Sequence, residues 1–184
     1  AALTMAKKEL SIPVLGVIHP GAQAAVNTNA HTIGVIGTDS TIKDGAYERE
    51  IHKIDPTINV ISKATQPLVS IVEHGLTNTP QAQRTVNEQL SIFDTHPVDA
   101  LILGCTHFPF LRNQIQNKVG EKTKLVDPAK ETINYIQTLL KSKNMLSDDK
   151  ATYHLYSTGN KNTLIAGANK WLHGNYTSCE SLKL

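Results

Sequence analysis

A chain of 184 residues is long enough to bury a real core and to hold one ordinary domain or parts of two. Its formal net charge is +2, with 18 Lys and Arg mixed among 16 Asp and Glu, so no basic stripe marks a nucleic-acid surface and no acidic tail marks a chaperone-like role. Two cysteines, Cys105 and Cys179, argue against a disulfide framework, no apolar stretch approaches the roughly 20 residues that span a bilayer, and no secretory pattern is present, so a reducing, cytoplasmic setting is expected.

The opening ten residues, Ala1 to Leu10, are good helix formers without a cap, an initiator Met or a leader, and the chain is expected to start inside a helix with sequence missing in front. Residues 12–18 read as a strand with Pro13 at its beginning, and Pro20-Gly21 punctuates it before an Ala-rich helix over 22–26. A second strand over 32–36 ends at the polar turn Gly37-Thr38-Asp39-Ser40-Thr41, and residues 47–54 read as helical. A short strand over 59–62 leads to a helix over 67–73 closed by Gly75, after which Val86, Leu90 and Phe93 mark one face of a longer helix.

After Asp99, the apolar run Ala100-Leu101-Ile102-Leu103 reads as a buried strand that stops at Gly104, and Pro109 suits the first turn of a helix continuing through Phe110, Leu111 and Ile115. Residues 124–126 make a further strand, and Asp127-Pro128 caps a helix with Ile133, Ile136, Leu139 and Leu140 on one face. Residues 141–150 form a polar connection, 152–156 alternate as a last strand, Ser157-Thr158-Gly159 turns it, and 164–172 close the chain as a helix anchored by Trp171. Strands alternating with helices imply an α/β fold with a largely parallel sheet, whose ligands gather at the carboxyl ends of the strands.

Chemistry concentrates in Gly104-Cys105-Thr106-His107, where a close-approach glycine, a thiol, a hydroxyl and an imidazole fall together at a strand end. Thiol and imidazole two residues apart make a nucleophile or a proton-transfer station. The 37–41 turn has two readings, a solvated loop or a cradle of hydroxyls and amides for a carboxylate or phosphate. By default Glu73 is a solvent-facing charge at a helix end with His74 beside it, Asp127 an N-cap, Tyr47 core or rim, and Trp171 core.

The stretch Ala100-Leu101-Ile102-Leu103-Gly104-Cys105-Thr106-His107-Phe108-Pro109-Phe110-Leu111 closely resembles the second cysteine motif of the glutamate racemases, within the aspartate/glutamate racemase family. Gly34-Val35-Ile36-Gly37-Thr38-Asp39-Ser40-Thr41-Ile42 is similar to the family's threonine-bearing turn, with Asp39-Ser40 where a residue and a glycine are usual. The similarity extends through residues 16–22, 68–75 and 126–129 to Trp171-Leu172, almost the whole chain. The family's leading Asp-Ser-Gly segment and its first cysteine, in a Cys-Asn-Thr motif, have no counterpart, and the expectation is that the chain starts just after that motif.

The resemblance implies two similar α/β domains with mostly parallel sheets flanked by helices, the first incomplete here: residues 1–17 and 128–184 would belong to the first domain and 18–127 to the second. It implies a racemase that needs neither cofactor nor metal and interconverts L- and D-glutamate for peptidoglycan synthesis. Two acid/base groups would flank the Cα, Cys105 being one and the missing cysteine the other. By the same resemblance Thr106 and His107 would hold substrate or assist proton movement, Thr38 and Thr41 would bind its carboxylate or ammonium group, and Glu73 would orient or polarise His107. The partner implied is the small substrate, with no nucleic acid and no membrane, in a cytoplasmic enzyme compatible with a homodimer; the 184 residues alone are expected to be inactive. Two alternatives stay open: an aspartate or hydantoin racemase relative, and a non-catalytic carboxylate-binding module in which Cys105 is structural.

Overall fold

The computed structural model describes residues 2–183, so Ala1 and Leu184, the outermost positions of the expected domain ranges, lie outside the described residues. The chain divides into two compact units, one ending at Lys143 and the other beginning at Asn144. In the first unit four strands, β1 (Thr32–Gly37), β2 (Asn59–Ala64), β3 (Ala100–Gly104) and β4 (Lys124–Val126), form one sheet in the order β2-β1-β3-β4. All three pairings are parallel. Helices α1 (Ala2–Glu9) and α2 (Ile18–Val26) precede β1, α3 (Asp39–Asp44) and α4 (Ala46–Ile54) join β1 to β2, α5 (Pro67–Glu73), α6 (Pro80–Gln89) and α7 (Ile92–Thr95) join β2 to β3, α8 (Arg112–Val119) joins β3 to β4, and α9 (Pro128–Ser142) follows β4.

Side chains alternate across the sheet, and both faces are buried, as a parallel sheet requires. On one face Ile33 and Val35 of β1, Ala100 and Ile102 of β3 and Val126 of β4 form a cluster with Ala22 and Ala25 of α2 and Tyr47 and Ile51 of α4. Residues of the opposite parity, Ile36, Leu101 and Leu103, are equally buried, as are Leu68 of α5, Val86 of α6, Phe108, Leu111 and Ile115. Gly34 leaves room for this second layer, since a Cβ there would lie 2.7 Å from Leu101 Cδ1 and 3.2 Å from Phe93 Cε1.

Local chemistry sets the helix starts. Thr38 caps α3 by accepting from the Thr41 amide, Thr79 caps α6 by accepting from Ala82, and Asp127 caps α9 by accepting from Ala129 at 3.0 Å. Pro67, Pro80 and Pro128 occupy first-turn positions, where a missing N–H costs nothing. Gly75, at φ +73°, ends α5 as its position suggests.

The second unit pairs β5 (His154–Ser157) in parallel with β6 (Ser178–Ser181), and α10 (Lys161–Trp171) connects them. Asn160 caps α10 through the amides of Asn162 and Thr163. Lys170 stands 4.5 Å from the ring centroid of Trp171, a cation–π contact at the end of the helix.

The structure departs from the sequence expectations at several places, among them Pro20-Gly21, which lie inside α2, and β6, which follows the strand expected to be the last. Residues 11–17 form no strand: the segment joins α1 to α2, because an apolar run carrying Pro13 and Gly16 becomes a strand only where a neighbouring strand offers it a ladder. The polar 37–41 turn is the cap and first turn of α3. The long helix expected through Phe93 breaks after Gln89, where Ser91 Oγ donates to the Glu88 carbonyl at 2.9 Å, yet Val86, Leu90 and Phe93 are all buried. Ile133 of α9 is 63% exposed and so does not share the half-buried face of Ile136, Leu139 and Leu140.

Candidate active site

The chain leaves β1 for β2 on one side and returns to β3 on the other side of β1. Strand order therefore reverses between β1 and β3, and in open α/β sheets the crevice beyond the carboxyl ends at such a reversal is where ligands bind. Gly37 and Gly104 are register partners at the ends of these two strands, about 5 Å apart as neighbouring strands are, so Thr38 and Cys105 emerge side by side. Thr65 and Asp127 follow the outer strands β2 and β4 and complete a row of four strand-end residues. Thr65, fully buried, ties β2 to β1 by donating its amide to the Gly37 carbonyl at 2.8 Å.

Cys105 is half-buried and in the free thiol state, with its sulfur 3.5 Å from His107 Nδ1. The other ring nitrogen, His107 Nε2, stands 3.4 Å from Glu73 Oε1. Helix α5 packs on the 3-10 turn Phe108–Leu111 that follows His107, and this packing brings its last residue, Glu73, to the imidazole. The Glu73 side chain is 62% exposed, so the pair adds little to stability; what the carboxylate can do is fix ring orientation and tautomer. With Nε2–H turned to Glu73, Nδ1 is free to accept the thiol proton, an acid–imidazole–thiol series in which Cys105 can pass its proton to His107 and take it back. Thr106 is exposed on the same turn.

Across the crevice Thr38 Oγ1 and Thr41 Oγ1 lie 3.0 Å apart, both half-buried, and Thr38 Oγ1 also accepts from the Thr41 amide at 3.3 Å. The capping bond thus holds two hydroxyls at the mouth of the crevice, and since one donates to the other, the second keeps its O–H for a carboxylate. Asp39 and Ser40 have helical backbones, and no positive φ occurs between Asn29 and Gly45, so the position where a glycine is usual does not need one.

Tyr47, by sequence a residue of core or rim, has its ring directly beneath the site. A Cβ on Gly104 would lie 3.2 Å from Tyr47 Cε2 and 2.6 Å from the Ile36 carbonyl oxygen, so Gly104 is the residue that lets β3 end against both. Burial, then the charges of Asp127 and Cys105, push the Tyr47 hydroxyl above the ordinary phenol range and keep it protonated. The only sequence signal for this arrangement is Gly104 itself, a close-approach residue whose neighbour the sequence does not name.

The Asp/Glu/Hydantoin racemase family model matches residues 1–136. The glutamate racemase of Limosilactobacillus reuteri is 52% identical over 185 residues, which cover all of this chain and 69% of that protein; that of Limosilactobacillus fermentum is 51% identical, over 94% of this chain and 65% of that protein. Among solved structures, glutamate racemase isoform RacE1 of Bacillus anthracis superposes with a TM-score of 0.93 at 35% identity, covering 100% of this chain and 70% of that one. Glutamate racemase of Francisella tularensis in complex with D-glutamate gives 0.87 at 29% identity, covering 100% and 68%. The chain belongs to the Asp/Glu/hydantoin racemase family, and it spans about two thirds of the length of the relatives it matches.

Proposed function

We propose that the chain is the larger part of a glutamate racemase and carries one of its two acid/base thiols, Cys105. The observation that supports this most is the Cys105 sulfur at the β1/β3 reversal, backed by His107 and Glu73 and faced by the Thr38–Thr41 hydroxyl pair. The Cα proton of glutamate is only weakly acidic, and its removal leaves charge that spreads onto the α-carboxylate. Donors already aimed at that carboxylate stabilise the charge as it develops, which is the role assigned to Thr38 and Thr41.

In one direction the Cys105 thiolate takes the Cα proton and a second acid on the opposite face returns one; in the other direction Cys105 is the donor. His107 adjusts the protonation of Cys105 between turnovers, Thr106 holds substrate, and Glu73 orients His107. Cys179, 9% exposed within β6, is buried as a structural thiol is, and the second acid/base group is assigned to the part of the relatives' length that these 184 residues do not span. Residues 1–17 and 128–184 then complete the first domain of the longer protein and 18–127 form the second. The protein works in the cytoplasm without cofactor or metal, supplies D-glutamate for peptidoglycan, and is compatible with a homodimer.

The longer protein should exchange solvent deuterium into the Cα of both L- and D-glutamate. Aspartate or hydantoins turning over in preference to glutamate would move it elsewhere in the family, and glutamate binding without exchange would make it a carboxylate-binding module. The 184 residues alone should give no measurable racemisation. Thr38→Ala should remove the α3 cap, costing about 1 kcal/mol in thermal or urea unfolding. It should also lower kcat/KM for glutamate about ten-fold, with KM raised in part, as expected when a charge-assisted hydrogen bond that strengthens with the developing charge is lost. An unchanged KM would take Thr38 out of substrate binding.

A further inference from the structure

Thr65, Thr123 and Thr132 are buried, and each donates its hydroxyl to a backbone carbonyl. Thr123 bonds Val98, ahead of β3, and Thr132 bonds Pro128 within its own helix. The acceptor of Thr65 is the Gly37 carbonyl, in the peptide that leads into Thr38. Two donors from Thr65 converge on that oxygen, the amide at 2.8 Å and the hydroxyl at 3.4 Å. The hydroxyl contact is long, but Thr65 is 0% exposed, so its O–H has no water to turn to and Gly37 is its partner among the described residues. Gly37 is also packed against α3, since a Cβ on it would lie 3.1 Å from Thr41 Cβ, Thr41 Cγ2 and Ile42 Cδ1.

The Gly37–Thr38 peptide is therefore held at its oxygen by Thr65, and its setting fixes where Thr38 Oγ1 stands to meet the Thr41 amide at 3.3 Å and the Thr41 hydroxyl at 3.0 Å. The carbonyl of Thr65 in turn accepts from the Leu68 amide at 3.0 Å in the first turn of α5, whose last residue, Glu73, meets His107. We infer that Thr65 is a positioning residue for the substrate-binding hydroxyls: its enclosed O–H, together with its amide, fixes the peptide before Thr38 so that the Thr38–Thr41 pair is in place before a carboxylate arrives. Donors oriented in advance need no reorganisation when charge develops on the substrate. This role rests on the proposed binding of substrate by Thr38 and Thr41.

Thr65→Val and Thr65→Ser, each made in the longer protein, separate this role from a merely structural one, because they should move stability and activity in opposite order. Valine keeps the branched shape and removes a hydroxyl from an enclosed site, while the Thr65 amide still satisfies the Gly37 carbonyl, so Tm should fall by no more than about 1 °C. Serine keeps the donor and leaves the space of one methyl, so Tm should fall by about 2–4 °C. Activity should rank the other way: kcat/KM for glutamate falls about five-fold in Thr65→Val, the equivalent of one ordinary hydrogen bond, and stays within about two-fold of wild type in Thr65→Ser. Hydrogen exchange at the Thr41 amide, which Thr38 Oγ1 holds, should quicken about three-fold or more in the valine variant and change by less than about two-fold in the serine variant. Wild-type kcat/KM in Thr65→Val overturns the inference, and so does a serine variant less active than the valine one. Exchange needs no turnover, so a wild-type protein that fails to racemise glutamate would count against the proposed function, while unchanged Thr41 exchange in Thr65→Val would still overturn the role of Thr65.

Discussion

Cys105→Ser in the longer protein is expected to lower glutamate racemisation about 10³-fold or more in both directions, with little change in stability. An alcohol is far too weakly acidic to stand as an anion at neutral pH, so serine can neither take the Cα proton nor return one at a useful rate. Both directions suffer because each crossing uses both flanking groups, one as base and the other as acid. The sulfur is only half-buried and, among the described residues, its side-chain partner is His107 Nδ1 at 3.5 Å, so the exchange leaves neither a large cavity nor a stranded buried group. Polarimetry or coupled oxidation of D-glutamate reads the loss directly. A serine variant retaining wild-type kcat would remove Cys105 from proton transfer.

The second large effect is expected at Gly104→Ala. The added methyl would lie 2.6 Å from the Ile36 carbonyl oxygen, which belongs to the backbone of β1 and is held there by its place in the interior of the sheet. Relief requires β1 and β3 to part or the 104–105 peptide to rotate, and overpacking of this kind costs about 2–3 kcal/mol. In a chain of this size that corresponds to a fall in Tm of about 6–10 °C. The same movement displaces Cys105, and a misplacement of about 1 Å can cost about 10²-fold in kcat. Gly34→Ala is the informative comparison, since its methyl would meet the tip of the Leu101 side chain at 2.7 Å, which can turn away, and a milder loss is expected. Wild-type Tm and activity in Gly104→Ala would contradict the close approach.

Much of this is legible in the sequence, and the reasons are local. Four apolar residues ended by a glycine define β3 and deliver Cys105 to a strand end whatever the rest of the fold does. Pro67 to Glu73 and Lys124 to Val126 are the bounds the sequence suggests, because a proline, a glycine and a capping aspartate each act within one or two residues. The Asp127 cap follows from the same short-range chemistry.

What is hidden depends on pairing across the chain. The apolar run at 12–18 has the composition of a strand, yet composition cannot say whether another strand lies alongside. β6 is hidden for the opposite reason, since Ser178–Ser181 is polar apart from Cys179 and becomes a strand through its pairing with β5. The nearness of Glu73 to His107 requires α5 to pack on the turn at Phe108, a contact between segments more than 30 residues apart. The sequence resemblance suggests that pairing, but no local pattern demands it. Tyr47 reads as a residue of core or rim until the register of β1 and β3 places Gly104 against its ring.

The most direct measurement is a structure of the longer protein with bound D-glutamate. The two-thiol mechanism places the substrate Cα in the crevice between β1 and β3, about 3.5 Å from the Cys105 sulfur with a second acid/base group on the opposite face, and its α-carboxylate on the hydroxyls of Thr38 and Thr41. A Cα turned away from Cys105, with those two hydroxyls making no contact to the ligand, would contradict it.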